Sequence, residues 1–230
     1  MATQHLDLEE QEQLDQLKHF WKQYGNLITW VLIAVLGAYA AWNGYQYWQR
    51  NQAAQASALY GEIERLAGEA DPEKLERAFG DMKSRFGSTA YAMQGGLLVA
   101  SALEGAGKAE PAKAALAWVA EKAADPAYQA IARLRLAAVA AQAKDYTLAM
   151  AQLDASYPSE FTALVADRKG DVLSLQGKTA EARAEYEKAY KGLSARIEYR
   201  RLVEIKLAAL GADPRPPTDV AAAATSEGSK

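Results

Sequence analysis

A chain of 230 residues with 24% charged side chains, a net charge of −3 and no cysteine cannot rest on disulfides or thiolate metal sites. Its two histidines, His5 and His19, both stand in the first 25 residues, which excludes a histidine-ligated zinc or iron centre in the remainder. Those 25 residues take five of the 29 acids and two of the 26 bases, leaving 24 of each. So balanced a remainder gives no reason to expect nucleic acid or an anionic lipid surface.

Residues 1–25 read as an acidic tail. Leu6, Leu8, Leu14, Leu17, Phe20 and Trp21 make it mildly amphipathic, open to a membrane-surface, partner-binding or disordered reading. From Gln23 to Gln49 no side chain is charged, and the stretch Leu27 to Trp48 reaches about 30 Å as a helix, the thickness of a bilayer's hydrocarbon layer. Phe20, Trp21 and Tyr24 at one end and Tyr45, Tyr47 and Trp48 at the other resemble interfacial belts. Residues 26–49 therefore read as a transmembrane helix. Ala38-Tyr39-Ala40 raises the rival reading of a cleavable leader. The acidic residues before the run, and its continuation past Ala40, favour an uncleaved anchor. Lys18 and Lys22 against Arg50 point to an amino terminus in the cytoplasm and a large domain outside.

Residues 50–210 are rich in Ala, Leu, Glu, Lys, Gln and Arg, all strong helix formers, with breaks at regular intervals. Asp71 and Asp125 before prolines, and Ser88, read as helix starts. A repeat emerges when segments are superposed. Ala137, Ala140, Lys144, Tyr146, Ala149 and Leu153 fall 33 residues before Gly170, Leu173, Gly177, Thr179, Ala182 and Tyr186. One unit earlier stand Ala100, Leu103, Gly107, Ala109, Ala112 and Leu116. The spacing predicts helix pairs that cross at Ala112, Ala149 and Ala182, where larger side chains would force the helices apart.

A period near 34 residues with this pattern resembles the tetratricopeptide repeat over residues 93–195. Residues 51–86 read as a degenerate leading pair, with Leu59, Ile63, Leu66, Leu75, Phe79 and Met82 as its apolar stripes. A closing helix is expected at 194–210 and a disordered tail at 211–230, where Pro214, Pro216 and Pro217 stand. The fold class is thus all-α: one transmembrane helix followed by a tetratricopeptide-like helical-hairpin solenoid.

The order of several weak motifs is more specific. The run from Gln13 through Trp21 to Gly25 precedes the span, and Leu134-Arg135-Leu136-Ala137, Val165-Ala166-Asp167-Arg168-Lys169-Gly170-Asp171, Gln176-Gly177-Lys178 and Ala182-Arg183 follow. This order resembles the ancillary SecYEG translocon subunit family. The resemblance implies a non-enzymatic, membrane-anchored binding module that associates with Sec translocon subunits and links exported polypeptides to a periplasmic chaperone. A self-associating membrane scaffold (a homodimer) and an envelope assembly factor share the architecture and stay open as alternatives.

No enzyme is expected, because no serine–histidine–acid set can form without a histidine outside the tail. No cofactor is expected either: Gly177-Lys178-Thr179 suggests a phosphate loop, but Val172 stands where that motif needs glycine, and the segment reads as a helix-pair turn. Arg135, Asp167 and Asp171 fall on first helices of successive units, where they could line a protein-binding groove; an internal Arg135–Asp167 ion pair is the competing reading. Within the span, Gly37, Ala40, Ala41 and Gly44 share a stripe that could receive another helix, with Asn43 nearby as a hydrogen-bond donor, and membrane lipid is the other neighbour.

Overall fold

The computed structural model describes residues 8–69 and 71–212. Among them all regular structure is helical, in two compact units, Met1–Ala54 and Gln55–Lys230. The first helix, α1 (Leu8–Glu69), begins well before the boundary expected at residue 26. Within the amino-terminal unit, Leu27, Trp30, Leu36 and Tyr39 are 63–67% exposed. An apolar surface of that length is not a stable surface in water. Among the described residues this is the one helix long and apolar enough to cross a membrane. Its polar side chains turn inward onto the helix itself: Thr29 Oγ1 donates to the Gly25 carbonyl (2.7 Å) and Asn43 Nδ2 to that of Tyr39 (3.2 Å). Neither group is left unsatisfied against hydrocarbon.

The second unit is a series of helical hairpins. The end of α1 pairs with α2 (Pro72–Phe86), so the leading pair has no separate first helix; Ile63, Leu66, Leu75, Phe79 and Met82 are buried as their spacing predicts. Three repeats follow: α3 (Ala90–Gly105) with α4 (Ala109–Lys122), α5 (Pro126–Gln142) with α6 (Tyr146–Leu153), and α7 (Thr162–Leu175) with α8 (Thr179–Gly192). Asp71, Asp125 and Asp145 accept from the backbone N–H of Lys74, Ala127 and Leu148 at their helix starts. At α3 the cap is Thr89, not Ser88: the Thr89 hydroxyl accepts from Ala92 N–H at 3.2 Å. The closing helix α9 (Tyr199–Ala209) starts later than residue 194, since Leu193 leaves α8 in an extended conformation. Gly211 and Ala212, expected in the tail, finish its last turn, with Ala212 N–H bonded to the Leu207 carbonyl (3.0 Å) and its side chain buried. The rest of that tail lies outside the described residues.

The crossing points stand where the repeat pattern puts them. Ala112, Ala149 and Ala182 have no exposed surface. Opposite each repeat's large residue is a small one whose size tracks it. Ala100 and Ala137 go with Leu116 and Leu153, whereas Gly170 goes with Tyr186. A Cβ at Gly170 would come within 2.5 Å of the Tyr186 ring. The turns repeat as well. Gly107, Lys144 and Gly177 all have positive φ (72°, 63° and 74°), and the next residue's N–H bonds five residues back, to Leu103, Ala140 and Leu173. Gly177-Lys178-Thr179 is the α7–α8 turn of this kind. Only Lys144 carries a Cβ in the left-handed region.

Lys144→Gly should therefore raise stability by about 1 kcal/mol, read as a higher urea midpoint at unchanged slope. Gly170→Ala should lower it by about 1–3 kcal/mol, because the Tyr186 ring has no room to move aside.

Candidate functional site

The first helices of the three repeats follow one another along the domain, and polar contacts join α3 to α5. Gln94 Nε2 donates to the Tyr128 hydroxyl (2.9 Å), linking α3 and α5. Arg135 Nη1 donates to the Leu97 carbonyl (3.2 Å), and its charge offsets part of the upward push that burial gives the Glu104 carboxyl. Between α5 and α7 a hollow of about 150 Å³ is open to the surface. Ala137, Ala138 and Ala141 form one wall because small side chains leave the space, and Leu175, 58% exposed, stands at its end. Gln142, Arg168 and Asp171 supply polar groups at the edge. A larger hollow of about 370 Å³ lies beside α7 and α8, but its lysines, Lys169 and Lys188, are already paired with Asp154 (2.6 Å) and Glu185 (2.5 Å).

Behind the α5–α7 hollow lies a charged cluster that joins α7, α8 and α9. Asp167 is fully buried. Its Oδ2 accepts from the Tyr199 hydroxyl (2.5 Å), and Lys206 Nζ donates to both oxygens (2.8 and 2.9 Å). Lys206 Nζ also stands 2.6 Å from Asp171 Oδ1, which accepts from the Tyr186 hydroxyl (2.8 Å). Arg168 Nη1 holds the other Asp171 oxygen at 3.1 Å. Two carboxylates are thus met by two cations and two hydroxyls, the condition under which buried charge is tolerated. Burial first, and the bonded carboxylates second, push both the Tyr186 and Tyr199 hydroxyls well above the ordinary value of 10.0. Burial also pushes Tyr157 up to about 12.

These positions correct the reading of the three groove residues. The Arg135–Asp167 ion pair does not form: Arg135 faces α3, and Asp167 is taken by residues of α9. Asp167 has no surface with which to meet a partner. Asp171 does edge the hollow, as one arm of the cluster. Lys206, Tyr199, Arg168 and Leu175 were missed. Lys206 left a trace, since it interrupts the buried stripe of Val203 and Leu207. In the span, Gly37, Ala40, Ala41 and Gly44 lie within about 100° of arc and are exposed, and a Cβ at Gly37 or Gly44 would meet nothing within 4 Å. Asn43 gives one Nδ2 hydrogen to the Tyr39 carbonyl of its own helix and keeps a second hydrogen and its Oδ1.

Chemically, the α5–α7 hollow offers an apolar wall and a polar edge, where Arg168 and Asp171 are bonded to each other and Gln142 stands beside them. Among the described residues no cluster of His, Asp or Glu could hold a metal ion.

The family model for a tetratricopeptide repeat-like domain matches residues 18–212. The chain is 30% identical over 204 residues to the ancillary SecYEG translocon subunit of Neisseria gonorrhoeae, covering 88% of this chain and 98% of that protein. It belongs to the ancillary SecYEG translocon subunit family. The subunit of Escherichia coli is 26% identical over 79% of this chain and 87% of its own length, and that of Haemophilus influenzae 29% over 79% and 89%. No solved structure matches the chain.

Lys206→Met should cost about 3–5 kcal/mol in urea unfolding, because it strands the Asp167 charge in the core; Asp167→Leu added to it should recover most of that loss. Alkaline conditions give a second measurement. Above pH 10.0 the unfolded chain releases the Tyr186 and Tyr199 protons while the folded chain keeps them, so stability falls as pH rises. Tyr199→Phe should show a shallower fall over the same range.

Proposed function

We propose that this family member is a non-enzymatic, membrane-anchored binding module. The helix through residues 26–49 holds it at the Sec translocon in the inner membrane, amino terminus in the cytoplasm. The domain of residues 50–210 stands in the periplasm and receives an exported polypeptide or a chaperone that takes it over. The observation that carries this reading is the open α5–α7 hollow, with its alanine wall and its edge of Gln142, Arg168 and Asp171. An extended chain can place an apolar side chain in such a hollow and hydrogen-bond its backbone to the edge. Support for the location comes from the uncharged run, the Lys18 and Lys22 bias and the translocon names of the relatives.

A photo-reactive residue at Gln142 should cross-link in cells to polypeptides in transit or to a periplasmic protein, while one at Ser101, on α3 away from the hollow, should not. Equal labelling from both positions would remove the hollow from the proposal. Deleting residues 1–50 should abolish co-purification of translocon subunits. A carboxyl-terminal topology reporter should read periplasmic. Cross-linking from cysteines at Gly37 or Ala41 separates the alternatives: adducts to translocon subunits fit this reading, homodimers the self-associating scaffold.

A further inference from the structure

The outer side of α9 is not the polar face expected on the last helix of a solenoid. Arg201, Leu202, Ile205, Ala208 and Ala209 are all exposed and fall within about 120° of arc, opposite the buried Val203 and Leu207. Ile205 is 59% exposed and Leu202 43%, and Ile197, just before the helix, is 48% exposed. Beside this apolar strip the charge is one-sided. From Tyr190 to Ala209, the length of the strip, stand five bases, Lys191, Arg196, Arg200, Arg201 and Lys206, and two acids, Glu198 and Glu204. Arg200 lies over the Tyr190 ring at 3.9 Å and donates to its carbonyl, which fixes the corner between α8 and α9. Lys191, Arg196 and Arg201 are exposed, and none is drawn into an ion pair among the described residues. The buried cluster at Asp167 holds α9 in the orientation that presents this strip, through Lys206 and Tyr199.

We propose that the α8–α9 corner docks on an anionic lipid surface, with Lys191, Arg196 and Arg201 at the headgroup phosphates and Ile197, Leu202 and Ile205 at the acyl boundary. Exposed aliphatic side chains beside exposed cations that have no ion pair among the described residues fit an interfacial segment. Each cation near an anionic leaflet contributes roughly a fivefold gain in partitioning. The overall charge balance conceals the corner, since 24 acids and 24 bases beyond the tail cancel only when summed over the whole of that stretch. A groove for polypeptide would not need three such cations beside an aliphatic strip, and the α5–α7 hollow has no such set. The proposal rests on the membrane-anchored reading, which keeps lipid at high effective concentration beside the domain.

The test uses the full chain, whose lack of cysteine makes a single introduced thiol unique. Ala208→Cys places an environment-sensitive fluorophore within the strip while leaving Ile197, Leu202, Ile205 and the three bases in place, and Ser101→Cys serves as a position away from it. The protein is reconstituted in vesicles of phosphatidylcholine alone or with equal parts phosphatidylglycerol. Flotation with the vesicles checks the anchor separately. In anionic vesicles the label at 208 should shift to the blue and be quenched by nitroxide lipids, and the label at 101 should not respond. Arg196→Glu with Arg201→Glu, or high salt, should abolish the shift while the protein still floats. A floating protein whose 208 label behaves like the 101 label overturns the proposal and leaves the anchor standing. A shift that needs an added protein partner, and not lipid charge, overturns it too.

Discussion

A helical hairpin has more apolar surface than it can bury alone, so a solenoid stands only where neighbouring helices approach closely enough to exclude water from their shared face. In this domain that approach is set at the crossings of Ala112, Ala149 and Ala182, each without exposed surface. A larger side chain at any of them would separate two helices and, through them, the next hairpin. The remaining features depend on this spacing: the buried rows of Leu103, Leu116, Val119 and Leu153, the alanine wall of the α5–α7 hollow, and the seat of α9 on α7 and α8.

The end of the solenoid is secured differently from its middle. Between α3 and α6 the buried contacts are largely apolar, with polar links such as Gln94–Tyr128 only nearer the surface, and apolar contacts tolerate small shifts in register. At α7, α8 and α9 a buried carboxylate must meet a lysine and a hydroxyl from a helix 32–39 residues further on. Such a cluster adds little net stability over an apolar core of the same volume, but it leaves few alternative positions for the helix that completes it. Direction is what it supplies. The same Lys206 and Tyr199 that neutralise Asp167 decide which side of α9 faces outward.

Helix pairs, crossing residues and turns were legible because they repeat. A small residue, a large one three or four positions on and a turn recur at 33 residues, and the helical period then fixes which side chains meet. The leading hairpin was legible in its apolar stripes but not in its continuity with α1, since no glycine or proline separates residue 50 from the helix before it. The groove residues fared worse. Arg135 and Asp167 do sit on successive first helices, yet the choice of ion-pair partner depends on how α9 folds back, a long-range fact that local spacing does not encode. Asp171 lines the α5–α7 hollow while Asp167, four residues earlier, is buried, a difference that their shared helical spacing does not encode. The cations around Arg196 and Arg201 were hidden by counting charge along the chain, where surface arrangement has no expression.

The Gly170–Tyr186 contact bears on how such a domain can change over generations. Two repeats use alanine against leucine, and the third uses glycine against tyrosine. A passage from the first arrangement to the second has a permitted direction. Losing a methyl at the small position leaves a minor void, which most folds survive, and the ring can then fill it. Enlarging the other side first drives the ring into a Cβ, and the intermediate is selected against. A change from alanine–leucine to glycine–tyrosine is therefore tolerated only with the small position altered first, after which the tyrosine hydroxyl can reach Asp171.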